Sequence, residues 1–200
     1  MNSTKEKILS VAIDEFSARG FRGARVQHIA TAAHANLRMI YHYFGNKEGL
    51  YISCLEDIYA SVRRAELAVD FGTLKPQDAL RKLIDDTFDF FISHPQFAGI
   101  VASENSEKGK YISRSGEIPK MAATMIQNIG SLLDRGAKLG AFRSGIDPVQ
   151  LFITLHGLCS VHISSRYTLS KMLDIELGND EWITQRKRHV RDVIVSYLKA

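Results

Sequence analysis

The chain has 200 residues, 45% of them apolar and 24% charged, with a net charge of +4. That length suits one domain, or a small domain fused to a medium one, with a core that needs no disulfide or metal staple. The balance excludes disordered, collagen-like and low-complexity classes.

Two cysteines, Cys54 and Cys159, make neither a disulfide framework nor a zinc-ligand spacing, and a reducing cytoplasm suits them. The opening residues MNSTKEKILS contain no apolar signal core, so a cytoplasmic location is expected. Residues 148–165 are uncharged, but Gln150, Thr154, His156, Ser160 and His162 are too polar for lipid. A helix buried in protein, not a membrane span, is expected there. Charge is uneven: residues 1–50 hold seven Lys or Arg against four acids, so most of the excess sits on the first quarter. Nucleic acid is the natural partner of such a patch, provided a motif supports it.

Periodicity at i, i+3, i+4 recurs along the chain, which predicts an all-α fold of about nine helices. Ser3 and Glu6 form a capping-box start for the first, whose apolar face is Ile8, Leu9, Ala12, Ile13 and Phe16 and which ends at Gly20. A second helix covers Val26–Ala33, and a third Leu37–Phe44, capped by Asn36. Gly45-Asn46 breaks the pattern before a long fourth helix from Lys47, with Leu50, Cys54, Ile58 and Val62 on one side. Pro76 opens a fifth, and His94-Pro95 separates it from a sixth over 96–107. After a loop at 109–117, a seventh helix runs from Pro119 to Gly136. Asp147-Pro148 caps an eighth, expected to reach Tyr167, and a ninth covers 180–198.

Three short helices joined by tight turns, with a basic bias, describe a helix-turn-helix unit. Its third helix would enter the major groove with Leu37, Arg38, Met39, Tyr41, His42 and Tyr43. Arginine can read guanine edges there, while tyrosine hydroxyls and imidazole reach phosphates. Arg25, Val26 and Gln27 at the start of the second helix, Asn36 in the turn and Lys47 at a helix N-terminus complete the expected DNA contacts.

Gly20-Phe21, Ile29-Ala30, Ala33, Ile40-Tyr41-His42-Tyr43-Phe44 and Lys47-Glu48-Gly49-Leu50 together resemble the TetR family of bacterial regulators. The resemblance implies a DNA-binding domain at 1–50 and a helical ligand-sensing and dimerisation domain at 51–200. It also implies a homodimer that binds a palindromic operator as a repressor and leaves it when a small effector binds. Where the family usually has alanine-glycine-valine-serine in the turn, this chain has Ala33-His34-Ala35-Asn36, so a left-handed backbone would fall on His34. Arg38 and Met39 replace two small residues, which bears on operator sequence and not on the mode of binding.

Within the second part, Phe88, Phe91, Phe97, Met125 and Phe152 are either core or the wall of an effector cavity. Glu104, Asn105, His156 and His162 are polar groups on apolar helices and need partners, in the protein or on a ligand. An aromatic or fatty effector would suit such a lining. For the dimer, the eighth helix offers a small face through Thr154, Gly157, Val161 and Ser164 and a bulkier one through Leu151, Leu155, Leu158 and His162. The ninth offers Trp182, Arg186, Val190, Val193, Ile194 and Tyr197, and the two helices paired from two chains would make a four-helix seam. His156 and His162 are six apart, a poor helical ligand spacing, so no metal and no cofactor are expected. The rivals are a helical enzyme, for which no nucleophile elbow, P-loop or HExxH occurs, and an architectural DNA-binding protein without an effector.

Overall fold

The computed structural model describes residues 3–199. Among them there is no strand: ten α-helices and one 3₁₀ turn make up the regular structure. The helices are α1 (Thr4–Gly23), α2 (Val26–Ala32), α3 (Leu37–Phe44), α4 (Lys47–Leu67), α5 (Pro76–Ser93), α6 (Gln96–Ser106), α7 (Glu117–Lys138), α8 (Pro148–Ser164), α9 (Arg166–Leu173) and α10 (Asp180–Leu198). The 3₁₀ turn spans Ile112–Arg114, inside the stretch expected as a loop.

Local chemistry sets the boundaries. Ser3 and Glu6 complete the reciprocal capping box at the start of α1. The helix does not stop at Gly20 but bends there, at φ 65° and ψ 174°, and resumes for one turn to Gly23. Only glycine enters that conformation without cost. Asp147 caps α8 through Val149 and Gln150, and Asn179 caps α10 through Trp182.

The tenth helix comes from a break in the expected eighth. At Ser165 the backbone turns to φ −113° and ψ 18°, and α9 begins at Arg166. No glycine or proline marks the place. The hydroxyls of Ser160 and Ser164 instead bond back to the carbonyls of His156 (2.7 Å) and Val161 (3.3 Å). Such back-bonding competes with the helical ladder and weakens this end of α8.

The chain divides into two compact units. One comprises residues up to Ser61 with His94–Lys120; the other comprises Val62–Ser93 and the residues from Met121 on. In the first, α2 and α3 pack against α1, and α6 lies along α1. Its core includes Ile8, Phe16, Ile29, Ile40, Leu50, Tyr51 and Ile100. The α1–α6 approach depends on Gly99, where a Cβ would come within 2.6 Å of the Ser17 carbonyl oxygen. In the second, α5 packs on α8 and α10, burying Leu80, Ile84, Phe88, Leu155, Val190 and Ile194. No described helix is long and apolar enough to cross a membrane.

Candidate functional site

The first unit builds a helix-turn-helix. Ala33 ends α2, and His34 takes φ 51°, the left-handed position expected of it. The Ala35 N–H closes the turn on the Ala30 carbonyl at 2.9 Å. Asn36 then starts α3, its Oδ1 accepting the Met39 N–H at 2.9 Å. Ile40 and Phe44, four apart, are buried and seat α3 on the unit. The opposite face presents Arg38, Tyr41, His42 and Tyr43 to solvent, with Tyr41 45% exposed; Leu37 and Met39 are half-buried beside them. Arg25, Gln27 and Asn36 are exposed, whereas the Val26 side chain is buried.

Lys47 is tied down in this state. Its ammonium lies 4.9 Å over the Phe21 ring and 3.5 Å from the Arg22 carbonyl oxygen. Partial burial there lowers its pKa below that of a free lysine, with Glu15 opposing the shift.

A clamp from α6 fixes the same unit. Ser103 Oγ accepts the Phe21 N–H at 3.0 Å, at the bend in α1, and the Tyr51 hydroxyl at 3.2 Å. Arg22 and Glu107 pair at 2.6 Å. Glu104 is buried, and its Oε1 accepts the N–H groups of Tyr111 (2.7 Å) and Ile112 (2.8 Å). It thus braces the 3₁₀ turn. Asn105 is exposed and bonds back to the Val101 carbonyl. Phe97 packs edge-on to Tyr59 at 5.3 Å. These three expected pocket residues therefore lie in the DNA-binding unit's own framework.

The second unit gathers the others. Phe88, Phe91 and Met125 are buried; Phe152 and His156 are half-buried. His156 meets Phe91 edge-on at 5.5 Å and Phe152 at 4.2 Å. Its Nε2 lies 2.7 Å from Glu66 Oε1, and Glu66 Oε2 lies 2.9 Å from Arg63 Nη1. His162 is buried, stacked on Phe88 at 5.1 Å and 5.5 Å from Trp182, and among the described residues neither ring nitrogen has a hydrogen-bond partner. Burial, reinforced by Arg186, pushes its pKa down to about 4.

Residues 8–54 match the model for bacterial regulatory proteins of the tetR family, and residues 76–194 match the tetracyclin repressor-like C-terminal domain. The chain belongs to the TetR family. It is a DNA-binding transcriptional regulator. It is 35% identical over 185 residues to the HTH-type transcriptional repressor NicS of Pseudomonas putida, spanning 90% of this chain and 87% of that protein. It is 23% identical over 205 residues to the regulator RutR of Escherichia coli K12, spanning 100% and 92%. Two solved structures share the fold. One is the ketosteroid regulator KstR2 of Mycobacterium tuberculosis, with a TM-score of 0.75, 19% identity, and 100% and 97% of the two chains covered. The other is FadR of Bacillus subtilis in complex with stearoyl-CoA, at 0.69, 17%, and 96% and 98%.

In this TetR-family chain, the residues singled out for dimerisation fall into two groups. Leu151, Leu155, Val190 and Ile194 are buried within their own chain, where α5 meets α8 and α10. Leu158 and Trp182 are half-buried; Gly157, Val161 and Tyr197 are exposed. The exposed row on α8 runs every fourth residue through Val149, Ile153, Gly157 and Val161, and α10 adds Val193 and Tyr197. A groove of about 340 Å³ between the two helices is lined by Thr154, Val193 and Tyr197 among others.

Arg63 and Glu66 were not foreseen, yet a signal for Glu66 exists. It continues the apolar stripe Leu50, Cys54, Ile58 and Val62 by one more step of four, so it places a carboxylate where the helix is buried. Among the described residues, no group of three or more His, Cys, Asp or Glu side chains is arranged to hold a metal.

Proposed function

We propose that this protein is a homodimeric repressor that leaves a two-fold symmetric operator when a small molecule binds its second unit. The observation that carries the DNA half is α3: buried Ile40 and Phe44 on one side, exposed Arg38, Tyr41, His42 and Tyr43 on the other. Arg38 reads base edges. Tyr41, His42, Tyr43, Arg25 and Lys47 hold phosphates, and Gln27 and Asn36 approach the backbone from α2 and the turn. Val26 contributes by packing, not by contact.

The repressor reading is supported by the relative in Pseudomonas putida, which bears that description and matches this chain over 87% of its own length. The effector reading is supported by the buried polar and aromatic residues around His156, and by a structural neighbour that holds stearoyl-CoA. An aromatic or fatty effector fits the lining of Phe88, Phe91, Met125 and Phe152. The dimer seam uses the exposed rows on α8 and α10, with the buried Leu151, Leu155, Val190 and Ile194 behind them as support.

Selection of bound duplexes from a random library, followed by footprinting, tests the reading. A palindromic site with half-sites about 34–36 Å apart, or a near multiple, is the expected result. Binding without sequence preference would favour an architectural role instead.

A further inference from the structure

We infer that Arg63, Glu66 and His156 form the polar anchor of the sensing site. They select a planar, uncharged ligand that carries a hydrogen-bond donor beside an acceptor, as a lactam or primary amide does. This rests on the effector reading above and narrows it from aromatic or fatty molecules to one chemistry.

The geometry contains a conflict. His156 Nε2 lies 2.7 Å from Glu66 Oε1 and 3.2 Å from Arg63 Nη2. A ring nitrogen holds either a proton or a lone pair. With the proton, it donates to Glu66 and faces the guanidinium N–H donor against donor. With the lone pair, it accepts from Arg63 and faces the carboxylate acceptor against acceptor. One of the two contacts is a hydrogen bond at a time. A guest with both characters resolves this, its acceptor taking an Arg63 N–H and its donor meeting the Glu66 carboxylate.

Charge makes the same selection. Arg63 and Glu66 are 6% and 0% exposed and cancel one another at 2.9 Å. A carboxylate guest adds an uncompensated negative charge beside Glu66, an amine adds a positive one beside Arg63, and a neutral amide edge adds none. An acyl chain has no group for either residue. The walls favour a flat ring: Phe91 and Phe152 flank His156, and the Arg63 guanidinium lies 4.9 Å over Phe152. His156 keeps 18% of its side chain accessible while Glu66 has none, so the imidazole is the group of this pair that a guest meets first.

The test uses the full-length protein labelled with ¹⁵N at histidine, with the His156 ring signals identified by their loss in His156→Gln. Benzamide, 2-pyridone, benzoate and octanoate are titrated into the millimolar range. Benzamide and 2-pyridone are expected to move the His156 ring nitrogens, with benzamide binding at least about tenfold more tightly than its charged isostere benzoate. A folded Arg63→Lys protein, its helicity checked by circular dichroism, is expected to lose that preference. The anchor is overturned if benzoate or octanoate outcompetes benzamide at His156, or if no probe moves its ring nitrogens. Operator binding, measured in parallel by anisotropy, judges the other reading separately. Movement of His156 with no change in DNA affinity supports the anchor and removes the effector role.

Discussion

The hydroxyl of Ser103 accepts the backbone N–H of Phe21 at 3.0 Å, immediately after the bend that Gly20 puts into α1. Phe21 would otherwise lose an N–H partner at that break, and α6 supplies one from 82 residues away in sequence. The Arg22–Glu107 pair lies beside it, and Gly99 lets the two helices approach closely enough for the bond to form.

Gly99→Ala tests how much that clamp matters. The new Cβ meets Ser17 backbone at 2.6 Å, so α6 must shift away from α1. Overpacking of this kind costs about 1–3 kcal/mol. A lower midpoint in urea is expected, together with weaker operator binding, since the same contact positions Phe21 beneath Lys47. An unchanged urea midpoint would mean that α6 moves aside without loss.

Lys47→Ala and Arg38→Ala are expected to differ in kind. In the proposed complex Lys47 brings one charge to the phosphates, so its loss should weaken all sequences alike and reduce the salt slope by about 0.9. Arg38 projects from the exposed face of α3, and its loss should change which bases are preferred, by about 1–3 kcal/mol at one position. Anisotropy titrations over a range of salt, on the selected operator and on single-base variants of it, separate the two.

His34→Gly should stabilise the protein. The residue sits at φ 51°, where an L side chain costs about 1–2 kcal/mol, part of which glycine's greater freedom in the unfolded chain takes back. A net gain of about 0.5–1 kcal/mol is expected, seen as a rise in thermal midpoint. His34→Val, β-branched at the same φ, should lower it.

His162 makes stability depend on pH in a defined direction. Its pKa falls from the ordinary 6.5 to about 4 on folding, so the unfolded chain binds the proton more readily between those values. The contribution is complete above pH 6.5 and is lost as pH falls toward 4, amounting to about 3 kcal/mol at most. His162→Leu should remove that part of the acid sensitivity while remaining folded at pH 7, because the imidazole nitrogens have no hydrogen bonds to lose among the described residues. Urea melts of both proteins at pH 7.5 and pH 5 check it: equal acid losses would exclude His162 as the source.

What could be read from the sequence follows from where the determining chemistry lies. The α3 limits, its Asn36 cap and the capping box at Ser3 each depend on residues within four positions, so they are legible, whereas the left-handed backbone at His34 follows from the family resemblance, which has glycine at that place in the turn. The break at Ser165 was not, because serine back-bonding leaves no glycine or proline to mark it. Glu104 reads in the sequence as a polar group on an apolar helix that needs a partner, but its partners are backbone N–H groups of Tyr111 and Ile112, which no pattern of side chains announces. The pairing of Glu66 with His156 joins positions 90 apart, and only the fold brings them together. Leu151, Leu155, Val190 and Ile194 share the heptad-like spacing of an interface, yet spacing does not distinguish a partner chain from α5.

Gly157→Trp examines the dimer seam with little risk to the single chain. A Cβ at Gly157 meets no atom within 4 Å, and the residue lies in the exposed row with Val149, Ile153 and Val161. An indole there projects into open space in one chain, so a folded protein with unchanged helicity is expected. In a four-helix seam made from α8 and α10 of two chains, the same indole falls where the backbones approach most closely. The interface cannot close around it. The variant should therefore elute as a monomer on a sizing column and lose operator binding by far more than one half-site contact explains, since both half-sites must be held at once. Ile153→Asp, which places a charge on the same row without bulk, should act in the same direction. If both proteins stay dimeric, the partner docks elsewhere, and the exposed row on α8 needs another explanation.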